Sequence, residues 1–306
     1  MKINKCGYII GALMLVLGLH SCQKTETVDG GERYPILFGS AETRAVSNLQ
    51  SLKENGFKVY AFIQGNAGSS NFDKEVTYTD RQNVWGYEPL EYWIPSATYY
   101  FKAFYPTAPN AGTLTVNNTT KEQNFTIEGF NVVNHQEDIM MASAVCAVPT
   151  GGKSPADGSV VNLSFSHLLA NIEIKIKSAI SGVTINKITI ADAIAEGDYF
   201  SATGEWKSTD TGDITYVSET ALTVGEDFQP VTGNGILVIP GSPEGKKLVI
   251  EASNKKYEVG FPATPTWEKG TKYSYTLEIK QSNIIFNEPD VEEWDSENAT
   301  GSVIIK

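Results

Sequence analysis

Thiols, imidazoles and one dense run of carboxylates carry most of the reactive potential of this 306-residue chain. A nucleophilic cysteine needs an electropositive neighbour that favours its thiolate. Cys146 instead lies in the uncharged stretch Met140-Met141-Ala142-Ser143-Ala144-Val145-Cys146-Ala147-Val148, which predicts a buried, inert thiol. His167, with Phe165, Leu168 and Leu169 close by, reads as a hydrogen-bonded structural histidine. His135, Glu137 and Asp138 have the composition of a metal site, but a strand sends adjacent side chains to opposite faces, so loop solvation is the better account. Glu288, Asp290, Glu292, Glu293, Asp295 and Glu297 offer oxygens that suit calcium, without the spacing or the glycine of an EF-hand loop. They predict a solvated, self-repelling spacer. A carboxylate pair for glycoside hydrolysis is made only by the fold, and the sequence selects none. With no nucleophile, base or ligand set in view, the chain is expected not to be an enzyme and to take no cofactor or metal.

Rings are the other candidate chemistry. Trp85, Tyr87, Tyr92, Trp93, Tyr99, Tyr100, Phe101, Phe104 and Tyr105 crowd one part of the N-terminal half. Exposed, they would stack on sugars or seat a partner protein. Strand alternation favours the plainer expectation, a core.

At the N-terminus, Lys2 and Lys5 precede an uncharged apolar run from Tyr8 to Leu19, and Leu19-His20-Ser21-Cys22 follows at once. The run falls short of the roughly 20 residues a membrane-crossing helix needs, so it reads as a secretory leader. The four residues resemble a bacterial lipobox. That resemblance implies acylation of Cys22, removal of residues 1–21 and a membrane address reached through a tether; an ordinary leader with Cys22 as bystander is the alternative. Each buried acyl CH₂ contributes about 0.8 kcal/mol, so two or three chains anchor a protein where one barely does. Cys6 would leave with the leader and Cys22 would be acylated, which leaves Cys146 no intramolecular disulfide partner. The formal charge of −12 grows more negative once Lys2 and Lys5 are lost. An acidic chain without a basic block has no footprint for nucleic acid.

The elements that must position these groups read as β almost throughout. Alternating or β-branched runs occur at Tyr34 to Phe38, Phe57 to Ile63, Tyr99 to Phe104, Thr113 to Val116, Asn124 to Ile127 and Asp138 to Ala142. They continue at Val160 to Phe165, Ile172 to Ile176, Val183 to Ile190, Ile236 to Ile239, Leu248 to Glu251, Lys272 to Ile279 and Asn283 to Phe286. Runs of about 5 to 8 residues broken by Gly, Asn, Asp and Pro mark antiparallel sandwiches, so the fold is expected to be all-β. Ser47 to Asn55, ahead of Gly56, is the best helical candidate. Length favours two domains, and the loop from Thr150 to Gly158 is the most punctuated interior stretch. The expected organisation is therefore leader 1–21, tether 22–33, an N-terminal sandwich 34–156 and a C-terminal sandwich 157–306.

Several phrases together resemble the fimbrillin family, the subunits and accessory proteins of type V pili. They are Ile36-Leu37-Phe38 and Thr43-Arg44-Ala45 after the lipobox Cys22, Asp138-Ile139-Met140-Met141-Ala142, the run from Val161 to Ile172, and Lys269-Gly270-Thr271-Lys272-Tyr273-Ser274-Tyr275-Thr276-Leu277 with Val291 and Trp294 behind. The resemblance implies two transthyretin-like β-sandwich domains, export as a lipoprotein of the cell outer membrane, and assembly with other pilus subunits by strand exchange. Carried onto this chain, Tyr34 to Phe38 is the strand expelled, and the cut falls between Arg44 and Ala45. Gly39 to Ala45 is small and polar enough to admit a protease; an ordinary surface arginine is the alternative. Ser302 to Lys306 is either a donor strand or the last strand of its own domain. A tip or anchor position in the fimbrium is one expectation. The rival is a non-polymerising surface lipoprotein that binds glycans or host proteins.

Overall fold

The computed structural model describes residues 26–28, 31–39, 46–79, 84–155, 160–280 and 284–294. Where polar composition predicts a tether, β1 (Glu26–Val28) and β2 (Gly31–Arg33) pair as an antiparallel hairpin. Next come β3 (Leu37–Gly39), α1 (Val46–Asn55), β4 (Phe57–Gly65), β5 (Gly68–Thr79), β6 (Val84–Gly86) and β7 (Thr98–Tyr105). The chain continues through β8 (Thr113–Asn117), β9 (Asn124–Asn131), β10 (Met140–Ala147), β11 (Val160–Asn162) and β12 (Ser166–His167). The remainder is β13 (Ala170–Ser178), β14 (Val183–Phe200), β15 (Glu205–Val224), β16 (Gln229–Pro230), β17 (Ile236–Val238) and β18 (Lys247–Ala252), then β19 (Lys255–Gly260), β20 (Thr271–Ile279), β21 (Ile284–Phe286) and β22 (Asp290–Glu293). Among the described residues the fold is all-β apart from α1, in accord with the apolar alternation.

The one helix among the described residues shows how local chemistry sets a boundary. Leu52 is fully buried, and the Gly56 N–H donates to its carbonyl at 2.8 Å to close the last turn. Gly56 then takes φ +70°, and a Cβ there would lie 2.5 Å from the Val76 carbonyl oxygen. Only glycine fits this stop.

One sheet runs β12-β10-β7-β4-β5-β6. A second runs β16-β13-β20-β21, with β17 on β13 and β22 on β20; a third runs β19-β18-β14-β9-β8, with β15 on β14. Pairing is antiparallel except for β3 with β11 and β13 with β20. Two hydrophobic cores result. The first gathers Ile36, Phe38, Phe57, Val59, Trp85, Phe101 and Val161. The second gathers Ile172, Ile188, Leu248, Trp267, Tyr275 and Leu277.

The chain does not pass from one core to the other at a single point. Phe125, Ile127 and Phe130 on β9 belong to the second core, where β9 pairs with β14. Val161, Leu163 and Phe165, later in sequence, return to the first. Gln136 stitches the crossing: its amide donates to the carbonyls of Val132 (2.8 Å) and Leu237 (3.2 Å) and accepts from the Leu237 N–H (2.7 Å).

Candidate functional site

The segment around β3 is the strand on which the expected mechanism turns. Its sequence, Tyr34-Pro35-Ile36-Leu37-Phe38-Gly39, is apolar at three successive positions, so both faces must be covered. They are: Ile36 and Phe38 are wholly buried and Leu37 nearly so. On one side Ile36 N–H donates to the Glu91 carbonyl (2.8 Å), and Trp93 N–H donates to the Tyr34 carbonyl (3.0 Å). On the other, β3 lies parallel to β11, with Leu37 opposite Val160 and Phe38 opposite Val161. Leu163 N–H closes the ladder on the Gly39 carbonyl at 3.0 Å.

Two side-chain features clamp the strand. The Tyr87 hydroxyl donates to the Ile36 carbonyl at 2.7 Å and accepts from the Glu91 N–H at 3.2 Å. Burial pushes the Tyr87 phenol far above its ordinary range, which keeps it a donor. The Phe38 ring meets Phe101 edge-on at 5.7 Å and Tyr87 at 5.3 Å. Burying Ile36, Leu37 and Phe38 contributes on the order of 5–9 kcal/mol, at about 1.5–3 kcal/mol for each side chain. Taking the segment away would leave a groove floored by Tyr87 and Phe101. Along its walls the Glu91 carbonyl and the Trp93 and Leu163 N–H groups would have lost their partners. Such a groove can accept another extended strand, through main-chain pairing and alternate pockets.

The expected processing residues Cys22, Arg44 and Ala45, and the C-terminal run 302–306, lie outside the described residues. Of the nine clustered rings, seven are buried, and only Tyr92 and Tyr100 are half-buried. The crowd is therefore core, and the exposed-platform expectation finds no support there. Cys146 is half-buried on β10 rather than wholly buried, beside the first core.

His167 is 2% exposed, its Nδ1 lies 2.8 Å from Asp138 Oδ1, and its ring stacks on Trp294 at 3.5 Å and 7°. The residues that suggest a metal site in sequence are parted by the fold. His135 is exposed, Asp138 meets His167, and Glu137 accepts from the backbone N–H groups of Asn110 (2.7 Å) and Ala111 (3.2 Å). Among the described residues no group of three His, Cys, Asp or Glu could hold a metal ion. The acidic run departs from its expectation as a spacer. Asp290 to Glu293 form β22, antiparallel to β20, because backbone pairing tolerates charges that point to solvent. Among the described residues no helix is long and apolar enough to cross a membrane.

The clamp from Tyr87 was not foreseeable, since a ring in an aromatic crowd gives no sign of which hydroxyl will meet a distant carbonyl. The segment that supplies Glu91 and Trp93 likewise shows no strand pattern.

Comparisons with known proteins agree with this architecture. A family model described as fimbrillin-like matches residues 43–294. A proposed cell adhesion protein of Bacteroides uniformis has a TM-score of 0.51 at 16% identity, covering 88% of this chain and 100% of that one. Another, from Bacteroides ovatus, has a TM-score of 0.53 at 16% identity, covering 85% and 96%. At these identities the likeness is one of fold. No curated protein matches the chain.

Proposed function

Since the chain belongs to the fimbrillin-like family, we propose that it is a structural, adhesive subunit of a cell-surface pilus, assembled by protease-activated strand exchange. In this reading Cys22 carries the lipid that holds the exported protein at the outer membrane. A cut between Arg44 and Ala45 then frees the segment 34–38 from the body. A β-segment of a neighbouring subunit fills the vacated groove, and the subunit passes from the membrane to the fimbrium, where it stands at the tip or at the anchor.

The observation that carries the proposal is the seat of residues 34–39. The segment is apolar enough to be core, yet it is joined to the body only by a three-residue parallel ladder on one side and a few flanking bonds on the other. A core residue set delivered by one short strand is replaceable by an equivalent strand from elsewhere. Cutting beyond it converts a stable subunit into one that must find a partner, because the exposed groove would otherwise leave several kcal/mol of apolar burial unrealised.

The Arg44→Ala variant tests this. Export and folding are expected to be unchanged, while mild denaturing gels lose the ladder of polymers. A normal ladder from Arg44→Ala would contradict the mechanism.

A further inference from the structure

Strands of three sheets meet around a cleft of about 750 Å³. One wall belongs to β10 and β12, whose ladder ends where Met141 lies opposite Ser166. Past that point Ser143 and Ser164 line the cleft together with Ser166, and all three are exposed. Leu168 N–H donates to the Ile139 carbonyl, so every second residue from Ile139 turns its main chain to this side. At Ser143 that aims an N–H and a carbonyl at the cleft, where among the described residues no strand pairs with β10 beyond Met141. The facing wall carries Lys269, Thr271 on β20, Glu293 on β22, and Trp294. Tyr199 on β14 borders the cleft from within the second core.

Trp294 gives this cleft a fixed aromatic plate. Its main-chain N–H donates to the Gly270 carbonyl at 2.9 Å, and one indole face lies on the His167 ring at 3.5 Å and 7°. His167 is 2% exposed and held by Asp138 at 2.8 Å, so the plate has a rigid backing. With that face covered, half-buried Trp294 has its opposite face and its edge to offer the cleft. Around it stand the hydroxyls of Ser143, Ser164, Ser166 and Thr271, each able to donate and to accept. Lys269 gives one N–H to the Gly204 carbonyl at 2.8 Å and has two more. Apart from His167, the charged groups among the described lining residues are Lys269 and Glu293, of opposite sign. A pre-formed concave site of about 300–1,000 Å³ with a few convergent polar groups is the usual form of a small-ligand pocket. A pyranose matches this one, because its apolar ring face stacks on an indole and its hydroxyls pair with groups of either polarity. An anionic sugar would bring its charge against Glu293. We propose that the cleft binds the uncharged pyranose end of a glycan, stacked on Trp294 and held through its hydroxyls by Ser143, Ser164, Lys269 and Thr271. The site lies away from the seat of residues 34–39 and needs neither the cut at Arg44 nor assembly, so it stands or falls apart from the pilus reading.

A printed array of neutral, sialylated and sulfated oligosaccharides, probed with the purified full chain, tests the site. Saturable binding to neutral glycans is expected, with sialylated and sulfated ones left unbound. Isothermal titration with the best-bound oligosaccharide, free in solution, should then show at least tenfold weaker binding for Trp294→Ala. Ser164→Gln narrows the cleft from the opposite wall and leaves the His167–Trp294 stack in place. It should cause a comparable loss, and it keeps the test decisive if Trp294→Ala disturbs the last strand. Arg44→Ala should bind the oligosaccharide as the native chain does, whatever its effect on polymerisation. Binding confined to sialylated or sulfated glycans, binding to no glycan on the array, or native affinity in both Trp294→Ala and Ser164→Gln overturns the proposal.

Discussion

Phe38→Ala removes the ring through which the N-terminal segment enters the first core. Phe38 is fully buried and sits against Tyr87 at 5.3 Å and Phe101 at 5.7 Å. Deleting a buried phenylalanine side chain costs about 3–5 kcal/mol, because transfer free energy is lost and a cavity is left. The two ring pairs account for about 0.5–1.5 kcal/mol each beyond simple burial, which places the site in the upper half of that range. Against a net stability of about 5–15 kcal/mol for a whole domain, the loss is large. It should also be local. Urea titration followed by hydrogen exchange should show lost protection at the Ile36, Trp93 and Leu163 amides, the three that bond across the segment. Amides of β18, which pairs with β14 and lines the second core, should keep theirs. A destabilisation under about 1 kcal/mol, or uniform loss across both cores, would refute the account of residues 34–39 as a core-completing strand.

Three further outcomes follow from the same geometry. Tyr87→Phe deletes the hydroxyl shared by Ile36 and Glu91, and should cost about 1–2 kcal/mol by urea denaturation while leaving the ring contacts in place. Gly56→Ala forces a side chain into φ +70° and against the Val76 carbonyl, so a loss of about 1–2 kcal/mol or more is expected from thermal unfolding. Glu173 gives the pH dependence. Burial alone would raise its carboxyl, but Lys175 at 2.8 Å, Ser274 at 2.7 Å and Lys272 at 3.4 Å outweigh it and hold the carboxyl below its ordinary range. A depressed folded-state value contributes stability above the unfolded value, near pH 4.3, and loses it as pH falls through the folded one. Glu173→Gln should therefore be destabilising by about 1–3 kcal/mol at pH 7, and the gap from the native chain should close in titrations below about pH 4.

Apolar alternation marks the strands that line the cores, because one face of each is buried and the period-2 signal survives. Ile172 to Ile176, Leu248 to Glu251 and Lys272 to Ile279 all appear as strands within a few residues of their expected bounds. Several of the strands the pattern misses are exposed ones. β5 reads GSSNFDKEVTYT with a single buried side chain, and β19 reads KKYEVG with none, so their pairing comes from backbone hydrogen bonds that leave little trace in side-chain type. β22 is the extreme case, since a run of carboxylates that reads as spacer forms a ladder with every side chain in water. Partner choice is also hidden. Nothing in Asn124 to Asn131 says that it will pair with β14, many residues later, rather than with a strand of the first sheet.

The candidate site divides in the same way. The Ile36-Leu37-Phe38 run is legible as a strand, and its burial follows from composition. The Tyr87 clamp and the His167–Trp294 stack join residues 51 and 127 positions apart, and such contacts exist only once the fold has formed. His167 illustrates the boundary. A hydrogen-bonded structural role is readable from its apolar neighbours, but the identity of its partners, Asp138 and Trp294, is not.

The most direct test of the account is the N-terminus of the subunit recovered from assembled fibres. A free Ala45, with residues 34–38 absent from the purified polymer, is the predicted result. A chain that still begins at acylated Cys22 and retains Tyr34 to Phe38 within the polymer would contradict it.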